Sequence, residues 1–452
     1  MITNYRYRLP VAQKIKDAYE KKGLSQADIA KHLKCEIETI ELIEGNEEVY
    51  SKEQVIELKN YLEIDEIILN REEKDRYHSN LEGWRDFINK GRLDDAIRIH
   101  DELNALHEIN YLPFDADLVM LYDMFNVKFL MAKKEYEAAE KILKNAESEI
   151  KNAYPEIKYH YYYNMGSLYI FRKEYEKALK SYVAAYDIGF DDKNHYKHSI
   201  HYNLGLCYFH LGMYSHAIHC YEETERLYKS INFLEYGDLF LLYIDINLAL
   251  SYLIMGKPKL AKKKIAACSP RIKAIRNKDL NKKAVSILGR ICIAEKEYDR
   301  ALDYFETANN FVEEGGVSHL EILYYKIFCL IMMNNPQAES EITYAKSIAQ
   351  KNDWYLMLFT SLSHLLTLDN DSSVDYIENT TIPKLMKEYR YHSALEYYEV
   401  LENHFTINGN ELKALKYKAL SGDLYKKMAQ GGEAHEKEIS WPSFGYRYGS
   451  ER

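Results

Sequence analysis

The 452-residue chain is poor in residues that break helices, with 19 glycines and 8 prolines. Strand-and-turn folds need frequent turn residues, so this scarcity argues against them and favours long helices joined by short loops. Six cysteines (Cys35, Cys207, Cys220, Cys268, Cys292 and Cys329) are scattered with no C-x-x-C pair, and read as small buried residues in a reducing compartment. No apolar segment of the secretory kind follows the first ten residues. The most apolar run, 239–255, is interrupted by Asp245 and Asn247 and is too short for a membrane span. A cytoplasmic protein with no membrane partner is expected. The formal charge of −10 argues against non-specific coating of nucleic acid but leaves room for a small DNA-binding face. Phosphate-binding, dinucleotide-binding, zinc-protease and nucleophile-elbow motifs are all missing. No catalytic residues and no cofactor are therefore assigned, and the chain does not read as an enzyme.

What is plentiful is tyrosine, 42 residues against 3 tryptophans. Such amphipathic rings suit helix pairs that pack on one side and line a wet groove with the other. The length suggests two or three domains, or one long repeat array. His195, His198 and His201 recur at i, i+3 and i+6, with Cys207, His216 and His219 nearby. The outer pair of that triplet falls on different helix faces and no fixed Cys/His spacing recurs. A polar surface between helices is expected rather than a metal site.

Residues 9–22 carry Val11, Ile15, Ala18 and Tyr19 at helical spacing and stop at Gly23. Ser25 then caps a helix over 26–33 whose inner face holds Ile29, Ala30 and Leu33. A third helix over 36–44 buries Ile40 and Ile43, and a fourth spans 52–61. On G-L-S-Q-A-D-I-A (23–30), T-I-E-L-I-E (39–44) and L-E-I-D (62–65), this run resembles the Cro/repressor-like (XRE) DNA-binding domain. The resemblance implies that Gln26 sits at the DNA backbone and that Glu36, Ile37, Glu38, Thr39, Glu41 and Leu42 lie near base edges. Arg6 and Arg8 would enter a minor groove as an arm. Two features depart from the pattern. The order Glu44-Gly45-Asn46 replaces the usual Gly two positions after the Glu, and the third helix carries Glu36, Glu38 and Glu41. Residues 1–35 hold eight Lys/Arg against three acids, and residues 36–70 hold two against eleven. A glutamate can accept from cytosine, yet acids beside phosphates cost affinity. The competing reading is a helix-turn-helix kept only for docking.

From about residue 80 the chain repeats itself. The clearest units are Y-N-M-G-S-L-Y-I-F-R-K-E-Y-E-K-A-L-K-S-Y (163–182) and Y-N-L-G-L-C-Y-F-H-L-G-M-Y-S-H-A-I-H-C-Y (202–221). This is the tetratricopeptide pattern, with Gly166 and Gly205 allowing close helix approach and Ala178 and Ala217 at the crossings. Weaker copies place the crossing alanine at 96, 139, 261, 301 and 338, and another copy centres on Ala394 or Ala414. Spacings of 37 to 44 residues exceed the usual repeat, so longer helices or loops are implied. The expected fold is all-α: a helix-turn-helix domain followed by a right-handed superhelix of helix pairs whose first helices build the inner wall.

Asn164, Asn203 and Asn247 recur at one register position of three successive repeats, on that wall. Asn both donates and accepts, so such a ladder would hold an extended peptide backbone. Bonding within each helix pair is the alternative. Tyr163, Tyr202, Phe209, Ile246 and Leu250 would line side-chain pockets, and Arg290 would anchor a carboxylate.

A helix-turn-helix followed by long tetratricopeptide repeats resembles the RRNPP-type peptide-pheromone regulators of Gram-positive bacteria. The resemblance implies a homodimer, operator DNA as one partner, and a short signalling peptide in the groove as the other. The domains expected are 1–70 (DNA binding), 71–80 (helical linker), 81–428 (peptide binding and dimerisation) and 429–452 (tail). The alternative function is a tetratricopeptide protein that does not bind DNA and instead inhibits a partner protein under peptide control.

Overall fold

The computed structural model describes residues 10–45, 50–64, 71–89, 92–106, 116–189, 197–230 and 237–430. Among them every regular element is helical, as the scarcity of turn residues suggests. Arg6, Arg8, His195 and the 431–452 tail lie outside the described residues. The chain divides into two compact units, 1–172 with 188–190 and 173–187 with 191–452.

In the first unit, helices α1 (Pro10–Lys21), α2 (Gln26–Leu33), α3 (Ile37–Glu44) and α4 (Lys52–Tyr61) form a small bundle. Its core is Ile15, Tyr19, Ile29, Ile40, Ile43, Val55 and Leu58, all buried. Ser25 starts α2 with a capping box: its hydroxyl accepts from the Asp28 amide, and the Asp28 carboxylate accepts from the Ser25 amide at 2.8 Å. Lys34 ends the helix in the left-handed conformation at φ 56°.

The same unit continues with α5 (Arg71–Asn89), α6 (Leu93–Leu106), α7 (Ala116–Ala132), α8 (Tyr136–Ala146) and α9 (Pro155–Phe171). Ala96 and Ala139 are fully buried at their crossings. The small Ala96 lets α5 come close enough for the Trp84 indole to donate to its carbonyl at 3.0 Å. Trp84 also packs on Phe129, with centroids 5.3 Å apart.

The second unit holds α10 (Tyr175–Ile188), α11 (Lys197–His210), α12 (Tyr214–Ser230), α13 (Gly237–Ile254), α14 (Pro258–Ile275), α15 (Lys278–Ala294) and α16 (Tyr298–Asn309). It then runs through α17 (Val317–Met332), α18 (Gln337–Ile348), α19 (Asp353–Leu365), α20 (Asp371–Tyr376), α21 (Ile382–Lys387), α22 (Tyr391–Ile407) and α23 (Glu411–Gln430). A π-helical turn over 377–381 joins α20 to α21. The crossing alanines 178, 217, 261, 301 and 338 are buried to 1% exposure or less. The reason for glycine in the register is steric. A Cβ on Gly205 would stand 2.7 Å from the Tyr221 ring, and one on Gly289 would stand 2.8 Å from Phe305. The first helices α13, α15, α17 and α19 pack as successive neighbours, so they form one wall.

Asp245 interrupts the apolar helix α13 yet is only 4% exposed. Lys264 (3.0 Å) and Arg271 (2.7 Å) of α14 meet its two oxygens, and Lys264 also reaches Glu225 of α12 at 2.8 Å. A buried carboxylate is tolerated when it is paired in this way.

The last helices return to the start of this unit. Tyr214 donates to the Tyr389 carbonyl (3.3 Å), Ser215 to the Ala429 carbonyl (3.1 Å), and Tyr389 to Glu176 (2.8 Å). The Tyr391 ring lies directly over Gly212, which turns α11 into α12 at φ +73°. The helix pairs of the second unit therefore close on themselves.

Candidate functional site

In the helix-turn-helix, α3 presents Ile37, Glu38 and Glu41 to solvent, with Thr39 and Leu42 half-buried. Ile37 is 46% exposed, unusual for a large apolar side chain beside three exposed carboxylates, Glu36, Glu38 and Glu41. Gln26 stands at the start of α2, but its amide is turned towards Glu44 and donates to it at 2.8 Å. Glu44 also takes Lys16 at 2.7 Å and the Tyr19 hydroxyl. Burial alone would raise the Glu44 pKa, but the bonds from Lys16, Tyr19 and Gln26 outweigh it and hold the carboxyl below its ordinary value. Glu44 thus ties α1, α2 and α3 together.

A carboxyl whose folded pKa is depressed adds stability above its unfolded pKa and loses it as pH falls through the folded value. Glu44→Gln should therefore cost the head about 1–2 kcal/mol at neutral pH, because Lys16 loses its charged partner. The difference between variant and wild type should shrink on acidification below the ordinary carboxylate range. Melting followed by a probe within residues 10–64 checks this, and a difference independent of pH would refute it.

The three register asparagines do not share one environment. Asn164, in the first unit, is 3% exposed, and its amide donates to the Met124 carbonyl of α7 at 2.7 Å. Asn247, half-buried in the second unit, donates to the Tyr202 hydroxyl at 3.1 Å. Burial raises the pKa of that hydroxyl to about 12, against the effect of the Asn247 bond. Asn203 is half-buried and engaged in a contact of its own.

Of the expected lining residues, Tyr202, Phe209 and Leu250 are half-buried in the second unit. Ile246 differs: at 2% exposure it belongs to the core between α13, α14 and α15. Its register position lies one residue before Asn247, on the side that meets the next helices. Tyr163, in the first unit, packs against Tyr159 with centroids 6.0 Å apart and lies under the Lys128 ammonium at 5.7 Å. Lys128 was not singled out by pattern. Burial lowers its pKa to about 7, with Arg85 adding to the effect.

Arg290 stacks on the Tyr325 ring, its guanidinium carbon 5.1 Å from the centroid. Burial opposes its charge, but Tyr325, Glu396 and Glu321 outweigh that and keep its pKa above the ordinary value. Glu396, on α22, was not foreseen because nothing in its local sequence sets it apart.

His198 and His201 contact rings: Tyr228 (5.6 Å) and Phe240 (5.7 Å) for the first, Tyr186 (5.6 Å) for the second. Among the described residues no group of three or more His, Cys, Asp or Glu could hold a metal. No described helix is long and apolar enough to cross a membrane.

The tetratricopeptide repeat family matches residues 159–230. The transcriptional activator NprA of Geobacillus stearothermophilus is 21% identical over 407 residues, 85% of this chain and 96% of NprA. The structure of NprR in complex with its cognate peptide NprX superposes with a TM-score of 0.58 at 19% identity, over 77% of this chain and 99% of that one. A Rap protein complexed with Competence and Sporulation Factor gives a TM-score of 0.64 at 14% identity, over 79% and 99%. Among the described residues the chain is all-α, a small helical bundle followed by tetratricopeptide-type helix pairs, and in these likenesses it resembles the RRNPP-type regulators.

Proposed function

We propose that the chain is a peptide-responsive transcription regulator. A short peptide occupies the wall of first helices in the second unit, and the helix-turn-helix of a homodimer binds operator DNA. The observation that carries this reading is the likeness to the transcriptional activator NprA along 96% of that activator's length and 85% of this chain. Asn203, Tyr202 and Phe209 of α11, and Asn247 and Leu250 of α13, which the Asn247–Tyr202 bond links to α11, offer amides and half-buried apolar surface of the kind an extended peptide requires. On the DNA side, Thr39, Glu38 and Glu41 meet bases and the N-terminal arginines Arg6 and Arg8 reach a minor groove.

A second reading has its own support. Three exposed carboxylates, Glu36 just before α3 and Glu38 and Glu41 on it, weaken attraction to phosphates, and the Rap likeness covers 79% of this chain and 99% of that one. In that reading the head docks on a protein and the array inhibits a partner under peptide control. A gel shift on the region upstream of its own gene, run across a salt series, separates the two. The regulator reading expects one duplex bound well above the rest, with Glu38→Ala changing base preference at one position. Equal, weak and steeply salt-dependent binding to every duplex would favour the docking reading.

A further inference from the structure

We infer that the second unit carries a two-charge subsite, Arg290 with Glu396, that takes a peptide bearing both a free carboxylate and a basic group. This rests on the peptide-binding reading above and specifies the chemistry of the peptide. Arg290 of α15 has its Nε sealed from solvent with no hydrogen-bond partner, and its guanidinium lies on the face of Tyr325. Glu396 of α22 has a side chain 12% exposed, and its Oε2 is likewise sealed and unbonded. Its other oxygen meets His392, one helical turn back, at 3.3 Å. Helix α17 joins the two neighbourhoods: Arg290 lies over Tyr325, and the adjacent Tyr324 hydroxyl is 3.3 Å from that of Tyr397, next to Glu396, yet Arg290 and Glu396 form no ion pair with one another.

Buried charges are normally paired, because desolvation is costly unless a partner offsets it. Arg290 and Glu396 are half-buried charges of opposite sign, each with a sealed and unbonded atom, and a group carrying the complementary pair would satisfy both. A guanidinium offers a planar fork that matches a carboxylate, and the unbonded Glu396 oxygen accepts from an ammonium or guanidinium. Tyr325 beneath Arg290 fixes the fork by stacking, which limits the freedom lost on binding. α22 belongs to the C-terminal helices that return onto the start of this unit, so Glu396 is supplied by the closing element. Occupancy would therefore bridge α15 and α22.

The test uses the full chain and a position-scanned pool of pentapeptides. Each sequence is made with a free C-terminus or as its amide, and with lysine or uncharged norleucine at each position. Bound peptides are read by affinity selection and mass spectrometry. Wild type should favour the free acid over the amide, and lysine over norleucine at one position, each by about tenfold or more. Arg290→Gln should abolish only the preference for the free acid, and Glu396→Gln only the preference for lysine. Unchanged helical CD and melting show that the variants fold, and if either does not, the wild-type preferences alone decide. Peptides retained without either charge preference, or preferences untouched by both variants, would overturn the two-charge subsite while leaving peptide binding intact. No retention of any peptide would overturn both.

Discussion

Alanine at Gly212 should destabilise the second unit by about 2–4 kcal/mol, combining left-handed backbone strain with an overpacked contact. Gly212 turns α11 into α12 at φ +73°, and a Cβ there would enter the ring of Tyr391 at the start of α22. The two contributions can be separated. Gly409 adopts a similar φ of +70° between α22 and α23, but nothing lies within 4 Å of a Cβ placed there. Gly409→Ala should therefore show backbone strain alone, about 1–2 kcal/mol. Hydrogen exchange of α22 and α23 is the measurement, because it reports opening of these helices without requiring the chain to unfold in one step. Exchange faster in Gly212→Ala than in Gly409→Ala is expected. Equal rates would mean that Tyr391 does not hold the closure.

Asn203→Ala should weaken the cognate peptide about 5- to 150-fold, the cost of about 1–3 kcal/mol for a lost amide pair at a covered site. Its register partners give different results, and the reason lies in what each amide already does. Asn164 spends its donor on the Met124 carbonyl inside the first unit, so Asn164→Ala should lower that unit's stability rather than act on affinity directly. Asn247 holds the Tyr202 hydroxyl, so removing it releases a wall ring that the peptide would touch. Titration calorimetry beside thermal melting separates affinity from stability for all three. An Asn203→Ala protein with unchanged affinity would assign the asparagine register to packing alone.

Much of the fold was legible because repeats convert spacing into geometry. The crossing alanines, the glycines under Tyr221 and Phe305, and the Ser25 cap all follow from local rules about which residues can occupy a close contact. The candidate site was less legible. Helical period says that Asn164 and Ile246 lie near the inner face, but whether that face is open depends on a neighbouring helix. Asn164 meets α7, and Ile246 meets the core of α13 to α15. The closure by α22 and α23 depends on contacts between residues far apart in sequence, such as Ser215 with Ala429. No periodicity encodes such a contact. That Arg290 and Glu396 each keep an unbonded charged atom was hidden for the same reason, as was the role of Gln26, whose position matches a DNA contact while its amide serves Glu44.

A peptide on the repeat wall should change DNA binding by the head. The most direct measurement is occupancy of the upstream duplex by the full chain while peptides from short secreted precursors encoded nearby are titrated, with Asn203→Ala run in parallel. One peptide should shift DNA occupancy in wild type, and the variant should need about 5- to 150-fold more of it for the same shift. A peptide that binds the chain yet leaves DNA occupancy unchanged at saturation would rule out peptide control of DNA binding, and a shift equally sensitive in wild type and variant would rule out Asn203 as its anchor.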